Sequence, residues 1–142
     1  MAYVSLDSEQ VKRAHKKHKY TKEQVLQLEK CMDVKTGPLF FMETFMSIQH
    51  PTRGELPFHP YPFQKRLIES YNNHRFSVSM LPRQTGKTTC AAGYIIWYAM
   101  FHTDSSILIA AHKYAGASDI ISRVRFSYEM LPSWIKTGVL RY

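Results

Sequence analysis

The stretch Leu81-Pro82-Arg83-Gln84-Thr85-Gly86-Lys87-Thr88-Thr89 constrains this chain more than any other, because it joins two different periodicities. Before it, Phe76-Ser77-Val78-Ser79-Met80 alternates apolar and small polar residues at the period of a strand. After it, Ala91, Tyr94, Ile95, Tyr98 and Phe101 recur at helical spacing, which predicts a helix over about 87–101. His102-Thr103-Asp104-Ser105 then turns the chain into Ser106-Ile107-Leu108-Ile109-Ala110-Ala111, a second apolar strand pattern. Strand, crossover helix and strand make a βαβ unit, whose strands run parallel. The expected fold class is α/β, a three-layer fold with a partial parallel sheet and N-terminal helices.

The rest of the chain supplies helices around that unit. Thr21-x-x-Gln24 is a capping box, and Val25, Leu28 and Met32 follow at helical spacing until Gly37-Pro38 stops the element. Pro38 suits the first turn of a second helix, expected to run to about Ile48 on the spacing of Phe41, Phe45 and Ile48. His50-Pro51-Thr52-Arg53-Gly54 breaks it, and the prolines at 57, 60 and 62 hold an extended approach to a short helix over 63–71. A last helix is expected from about Ala115 to Leu131, stopped by Pro132, with 133–142 as a tail. Trp134 in that tail is expected to cover a sheet edge or to expose apolar surface.

With 142 residues, the chain has the size of one ordinary domain. Its 44% hydrophobic and 21% charged residues exclude wholesale disorder and fibrous repeats. The longest nearly apolar run, 91–101, is far short of the roughly 20 residues that span a bilayer. Residues 1–8 lack the pattern of a secretory signal, so a cytoplasmic location is expected. Cys31 and Cys90 form neither a CxxC pair nor a zinc-spaced set and are expected as reduced, partly buried thiols. The net charge of +8 favours polyanionic partners such as nucleic acid or nucleotide. The one charge block is VKRAHKKHKYTK at 11–22, which reads either as a DNA-contacting arm or as a solvated one.

The 81–89 junction has the chemistry of a phosphate cradle. A bound phosphate chain needs inward-pointing N–H groups, a helix N-terminus with its partial positive charge, and a glycine that permits close approach. Gly86 and the start of the following helix supply these, Lys87 would reach the β- and γ-phosphates, and the Thr88 hydroxyl would ligate Mg²⁺. Arg83 is placed to steady charge on the γ-phosphate from within the same chain. The loop departs from GxxxxGK[ST], because Leu81 stands where that pattern has its first glycine, and Pro82 brings no N–H. Gln64, in Tyr61-Pro62-Phe63-Gln64, offers a side-chain amide to an adenine edge.

Taken together, Tyr61-Pro62-Phe63-Gln64, Pro82-Arg83-Gln84-Thr85-Gly86-Lys87-Thr88-Thr89 and Ile107-Leu108-Ile109-Ala110-Ala111-His112-Lys113 resemble the large terminase subunit of tailed bacteriophages, and the likeness extends back through Thr36-Gly37-Pro38. That family carries a deviant phosphate-binding loop with Arg-Gln before Gly-Lys-Thr, an upstream adenine-contacting glutamine, and an Ala-His-Lys strand end. The resemblance implies a P-loop NTPase-type ATPase that packages double-stranded viral DNA into a procapsid, with ATP and Mg²⁺ as cofactors. It implies Lys87 and Arg83 as catalytic residues, Gln64, Arg83, Gln84, Thr85, Gly86, Lys87, Thr88 and Thr89 as the nucleotide-binding set, and Thr88 as the Mg²⁺ ligand. It also implies a portal protein and a small terminase subunit as partners, a homo-oligomeric ring in the full-length protein, and the cytoplasm of an infected bacterium as location.

On this reading residues 1–35 are a basic N-terminal arm and helix, and 36–142 are the front part of the ATPase domain. Hydrolysis in such enzymes uses a carboxylate after a later apolar strand, whereas Ile107 to Ala111 leads into His112-Lys113. Nucleotide binding with little turnover, and no nuclease domain, is therefore the expectation for these residues. A superfamily 2 helicase or translocase fragment also has a glutamine motif before Gly-Lys-Thr, but Arg83-Gln84 and Ala111-His112-Lys113 favour terminase. A non-catalytic DNA-binding or assembly module, with the loop purely structural, is the alternative of a different class.

Overall fold

A computed structural model describes residues 12, 14, 18–50 and 52–139. The first helix, α1 (Lys22–Met32), begins at the capping box. Gln24 N donates to Thr21 Oγ1 at 3.3 Å, and Thr21 N donates to Gln24 Oε1 at 3.0 Å. Past its end, Asp33 Oδ1 accepts from Thr36 N at 2.7 Å, Thr36 Oγ1 at 2.8 Å and Lys35 N at 2.9 Å. These bonds, Thr36 N–H foremost, hold the Asp33 carboxyl below the usual carboxylate range. The turn they make launches α2 (Gly37–Phe45), with Pro38 in its first turn where no intrahelical N–H is needed.

The second helix stops at Phe45, three residues before the expected end at Ile48. Met46 is already extended, and Ser47–His50 forms β1, paired antiparallel with β2 (Gly54–Pro57) in the register Ile48 opposite Leu56. The helical spacing of Ile48 yields here to hairpin pairing, closed by Gly54 at a φ of +72° that suits glycine. Then α3 (Pro62–Asn73), α4 (Lys87–Phe101) and α5 (Tyr114–Met130) follow, each within a residue or two of its expected span.

Helix α4 is the centre of the molecule. It packs against α2, α3 and α5, and β1 packs on α5. Trp97 is 1% exposed among Phe41, Met42, Ile68, Cys31 and Cys90, and Tyr94, Tyr98 and Phe101 pack partly buried against the same core. The Trp97 indole N–H donates at 2.8 Å to the carbonyl of Cys31, in the last turn of α1, where helix geometry leaves the carbonyl without an intrahelical donor. Burial pushes the Cys31 thiol up to about 12 and the Cys90 thiol up to about 11.

The tail is more organised than the sequence suggests. Ile135 and Lys136 are buried, and Lys136 Nζ donates to Glu129 O at 2.8 Å, near the end of α5. Desolvation draws the Lys136 pKa down. Trp134 meets Phe45 edge-on at 5.6 Å between ring centres, so it covers a helix end and not a sheet edge. Val139 N donates to Lys12 O at 2.9 Å.

The structure is mixed α/β, with five helices and one two-stranded antiparallel sheet among the described residues. The expected parallel sheet is absent among them: neither 76–80 nor 106–111 belongs to a ladder. Val78, Met80 and Leu108 are each 92% exposed. A strand exists only where a neighbour accepts its backbone hydrogen bonds, and no described segment pairs with either run.

Candidate functional site: the 82–89 loop and its cleft

The loop between segment 76–80 and α4 alternates the sign of its backbone φ. Its φ values are +62° at Gln84 and +79° at Gly86, and negative at Arg83, Thr85 and Lys87. Alternation of this kind turns successive N–H groups toward one side and forms a concave nest. Gln84 holds a left-handed conformation that costs a non-glycine residue about 1–2 kcal/mol. Gly86 is the N-cap of α4, and the helix ladder begins with Cys90 N donating to Gly86 O at 2.9 Å. The N–H groups of Lys87, Thr88 and Thr89 precede that ladder, so helix geometry leaves them available at the positive end of the dipole.

Side chains close the loop. Lys87 Nζ folds back to donate to Leu81 O at 2.7 Å and Pro82 O at 3.3 Å, so the ammonium spans the loop mouth. Thr85 Oγ1 donates to Pro82 O at 3.0 Å. Gln64, expected to read a base, is only 6% exposed and bridges two elements. Its Nε2 donates to Thr85 O at 3.0 Å while its Oε1 accepts from Tyr61 N at 2.9 Å, at the start of α3. A Cβ on Gly86 would lie 2.5 Å from Gln64 Nε2, so the glycine serves both its own φ and the approach of Gln64.

The structure thus brings Gln64, Gln84, Thr85, Gly86, Lys87, Thr88 and Thr89 into one small region. Arg83 sits in the loop, exposed and without an ion pair among the described residues. Thr88 lies in the first turn of α4, beside Lys87. His112 and Lys113 are exposed just before α5, with Lys113 as its N-cap. Of the basic stretch 11–22, residues 12, 14 and 18–22 are described, and Arg13, Lys16 and Lys17 of the expected DNA contacts lie outside the described residues.

A cleft of about 450 Å³ lies between β1, α4 and α5. Gln49 and His50 of β1, Thr89 and Ala92 of α4, and Asp119 and Arg123 of α5 line it. Arg123 Nε donates to Asp119 Oδ2 at 3.0 Å across one helical turn. Sequence reasoning missed this cleft. The Asp119/Arg123 spacing is a weak local signal, but only packing brings β1 against α5.

Among the described residues no three His, Cys, Asp or Glu side chains gather as a metal cage. No helix among them is long and apolar enough to cross a membrane. No protein-family model matches the chain.

Proposed function

We propose that the 82–89 loop binds the triphosphate of ATP, and that the chain is the nucleotide-binding part of a large terminase subunit, the motor that packages double-stranded viral DNA. The observation that carries this reading is the nest at Gln84–Gly86 opening onto the start of α4, with Lys87 folded across its mouth. In this reading Lys87 exchanges carbonyl partners for β- and γ-phosphate oxygens, and the N–H groups of 86–89 hold the chain of phosphates. Arg83, unpaired in the loop, steadies charge on the γ-phosphate. Gln64 braces the loop against α3.

Mg²⁺ fits this donor set: it takes one or two protein oxygens and completes its shell with phosphate oxygens and water, so no cage is required. Thr88 is the residue that would hold it, and the ion would neutralise charge on the β- and γ-phosphates. Segments 76–80 and 106–111 are, on this proposal, strands of a P-loop parallel sheet. Portal protein, small subunit, a homo-oligomeric ring and a host-cytoplasmic location belong to the same proposal and rest on the sequence resemblance alone.

Calorimetry of Mg-ATP on the chain and on Lys87→Ala, with phosphate release followed in parallel, tests it. The expected result is saturable binding in the parent, reduced by about a hundredfold or more in the variant, and little turnover in either. Equal binding by both proteins, or none by the parent, would refute the loop reading and leave a DNA-binding or assembly module as the better account.

A further inference from the structure

We infer that the cleft between β1, α4 and α5 captures the C-terminal carboxylate of a partner protein whose last side chain is apolar, an inference independent of nucleotide binding at the 82–89 loop. The free edge of β1 opens into this cleft. In an antiparallel pair, residues whose N–H and C=O groups point at the partner strand alternate with residues whose groups point away. Phe58 N donates to Met46 O at 2.9 Å, one step beyond the ladder position where Ser47 faces Pro57. Ile48 and His50 share the phase of Met46 and face β2, so Ser47 and Gln49 turn their backbone groups outward. Pro57, opposite Ser47, has no N–H to give and fits the same phase. Helix α5 meets the outer edge, where Ser127 Oγ donates to Ser47 O at 3.0 Å. Two residues further on, Gln49 lines the cleft, and its N–H and C=O have no hydrogen-bond partner among the described residues. Unpaired groups on a strand edge are a template for an incoming chain.

The walls of the cleft select a chain end. An added strand running the length of β1 is blocked, because α5 already occupies the edge at Ser47. A chain that stops at Gln49 is not, and its last residue can exchange both backbone bonds there: the carboxylate accepts from Gln49 N, and the last N–H donates to Gln49 O. Arg123 Nε donates to Asp119 Oδ2 at 3.0 Å, and its terminal nitrogens have no partner among the described residues. A guanidinium held at one end presents its other N–H groups as the fork that fits a carboxylate. His50 Nδ1 accepts from Arg53 N at 3.2 Å and from Thr52 N at 3.3 Å, which places the ring proton on Nε2 as a further donor. Met46, Ala92 and Phe126 give apolar surface for the last side chain. At about 450 Å³ the cleft is within the span of about 300–1,000 Å³ typical of ligand pockets, enough for a chain end and far too small for a folded partner.

The peptide N-acetyl-Ala-Ala-Leu and its C-terminal amide, titrated into the full chain and into Arg123→Gln, test the assignment, with the Gln49 backbone amide followed by NMR. Arg123 is half exposed and its ion pair lies on the surface, so the substitution spares the core. The acid is expected to bind the parent at least about tenfold more tightly than the amide, to lose that advantage in Arg123→Gln, and to shift the Gln49 amide resonance. Equal binding of acid and amide by the parent overturns the carboxylate site, a result that needs no variant. Undiminished preference for the acid in Arg123→Gln overturns the role of the guanidinium, and an unmoved Gln49 resonance overturns docking on the β1 edge. If acetate competes as strongly as the tripeptide acid, the cleft takes small carboxylates and the partner's chain end is refuted. Mg-ATP titrated into Arg123→Gln reads the 82–89 loop separately and is expected to bind as it does to the parent.

Discussion

Helix α4 and the two runs that flank it, 76–80 and 106–111, are all rich in apolar residues, yet their fates are opposite. The helix buries Trp97, Ile96, Ala92 and Cys90, whereas Val78, Met80 and Leu108 stand almost wholly in solvent. Hydrophobicity does not separate them. A helix satisfies its own backbone and needs only packing, so α4 forms once α2, α3 and α5 supply surfaces. A strand needs a neighbour for its backbone as well as for its side chains, and neither run has one among the described residues. The loop at 82–89 is stable between them because it leans on the helical side, through Gln64 from α3 and the N-cap of α4.

The sharpest way to break this contrast is Trp97→Ala. It empties the shared centre and leaves the Cys31 carbonyl without its indole donor, and a loss of about 3–5 kcal/mol is expected by urea unfolding. A loss below about 1 kcal/mol would mean that α4 is not the centre on which the other helices depend.

Gly86→Ala probes the hinge between the two regions. The new Cβ meets Gln64 Nε2 at a φ of +79°, so about 1–2 kcal/mol of stability should go, together with Mg-ATP affinity. Retention of both would show that the left-handed N-cap is dispensable.

A graded effect follows from the buried thiols. Above the ordinary thiol value of 9.0 the unfolded chain releases these protons, while the native state keeps them to about 12 at Cys31 and about 11 at Cys90. Their contribution is therefore complete below about pH 9 and is lost as pH rises through the native values. Melting temperatures measured from about pH 8 to pH 11 should fall, and less steeply in a Cys31→Ala/Cys90→Ala protein. Parallel slopes would remove the thiols as the cause.

The smallest effect is expected at the exposed runs. Val78→Lys and Leu108→Lys should each change stability by no more than about 0.5 kcal/mol and should improve solubility. A large destabilisation by either would show that these segments are packed in solution and would erase the difference from α4.

Local physics explains what could be read from the residues alone. Thr21 with Gln24, Pro62 before Phe63, and Pro132 after Leu131 mark helix ends through bonds and steric limits within a few residues, and α1, α3 and α5 begin or end there. The Gly86-Lys87-Thr88 turn is equally local, and α4 starts at Lys87 with Gly86 as its N-cap. Tertiary structure alone decided the rest. Ile48 left its helical spacing because Leu56 lies across from it in a hairpin, and Gln64 became a brace because α3 sets it against Thr85. His50, Thr89 and Asp119 share a cleft although they are far apart in the chain. Caps and turns are fixed by neighbours along the sequence, whereas ladders, braces and cavities depend on contacts that exist only after distant segments have packed.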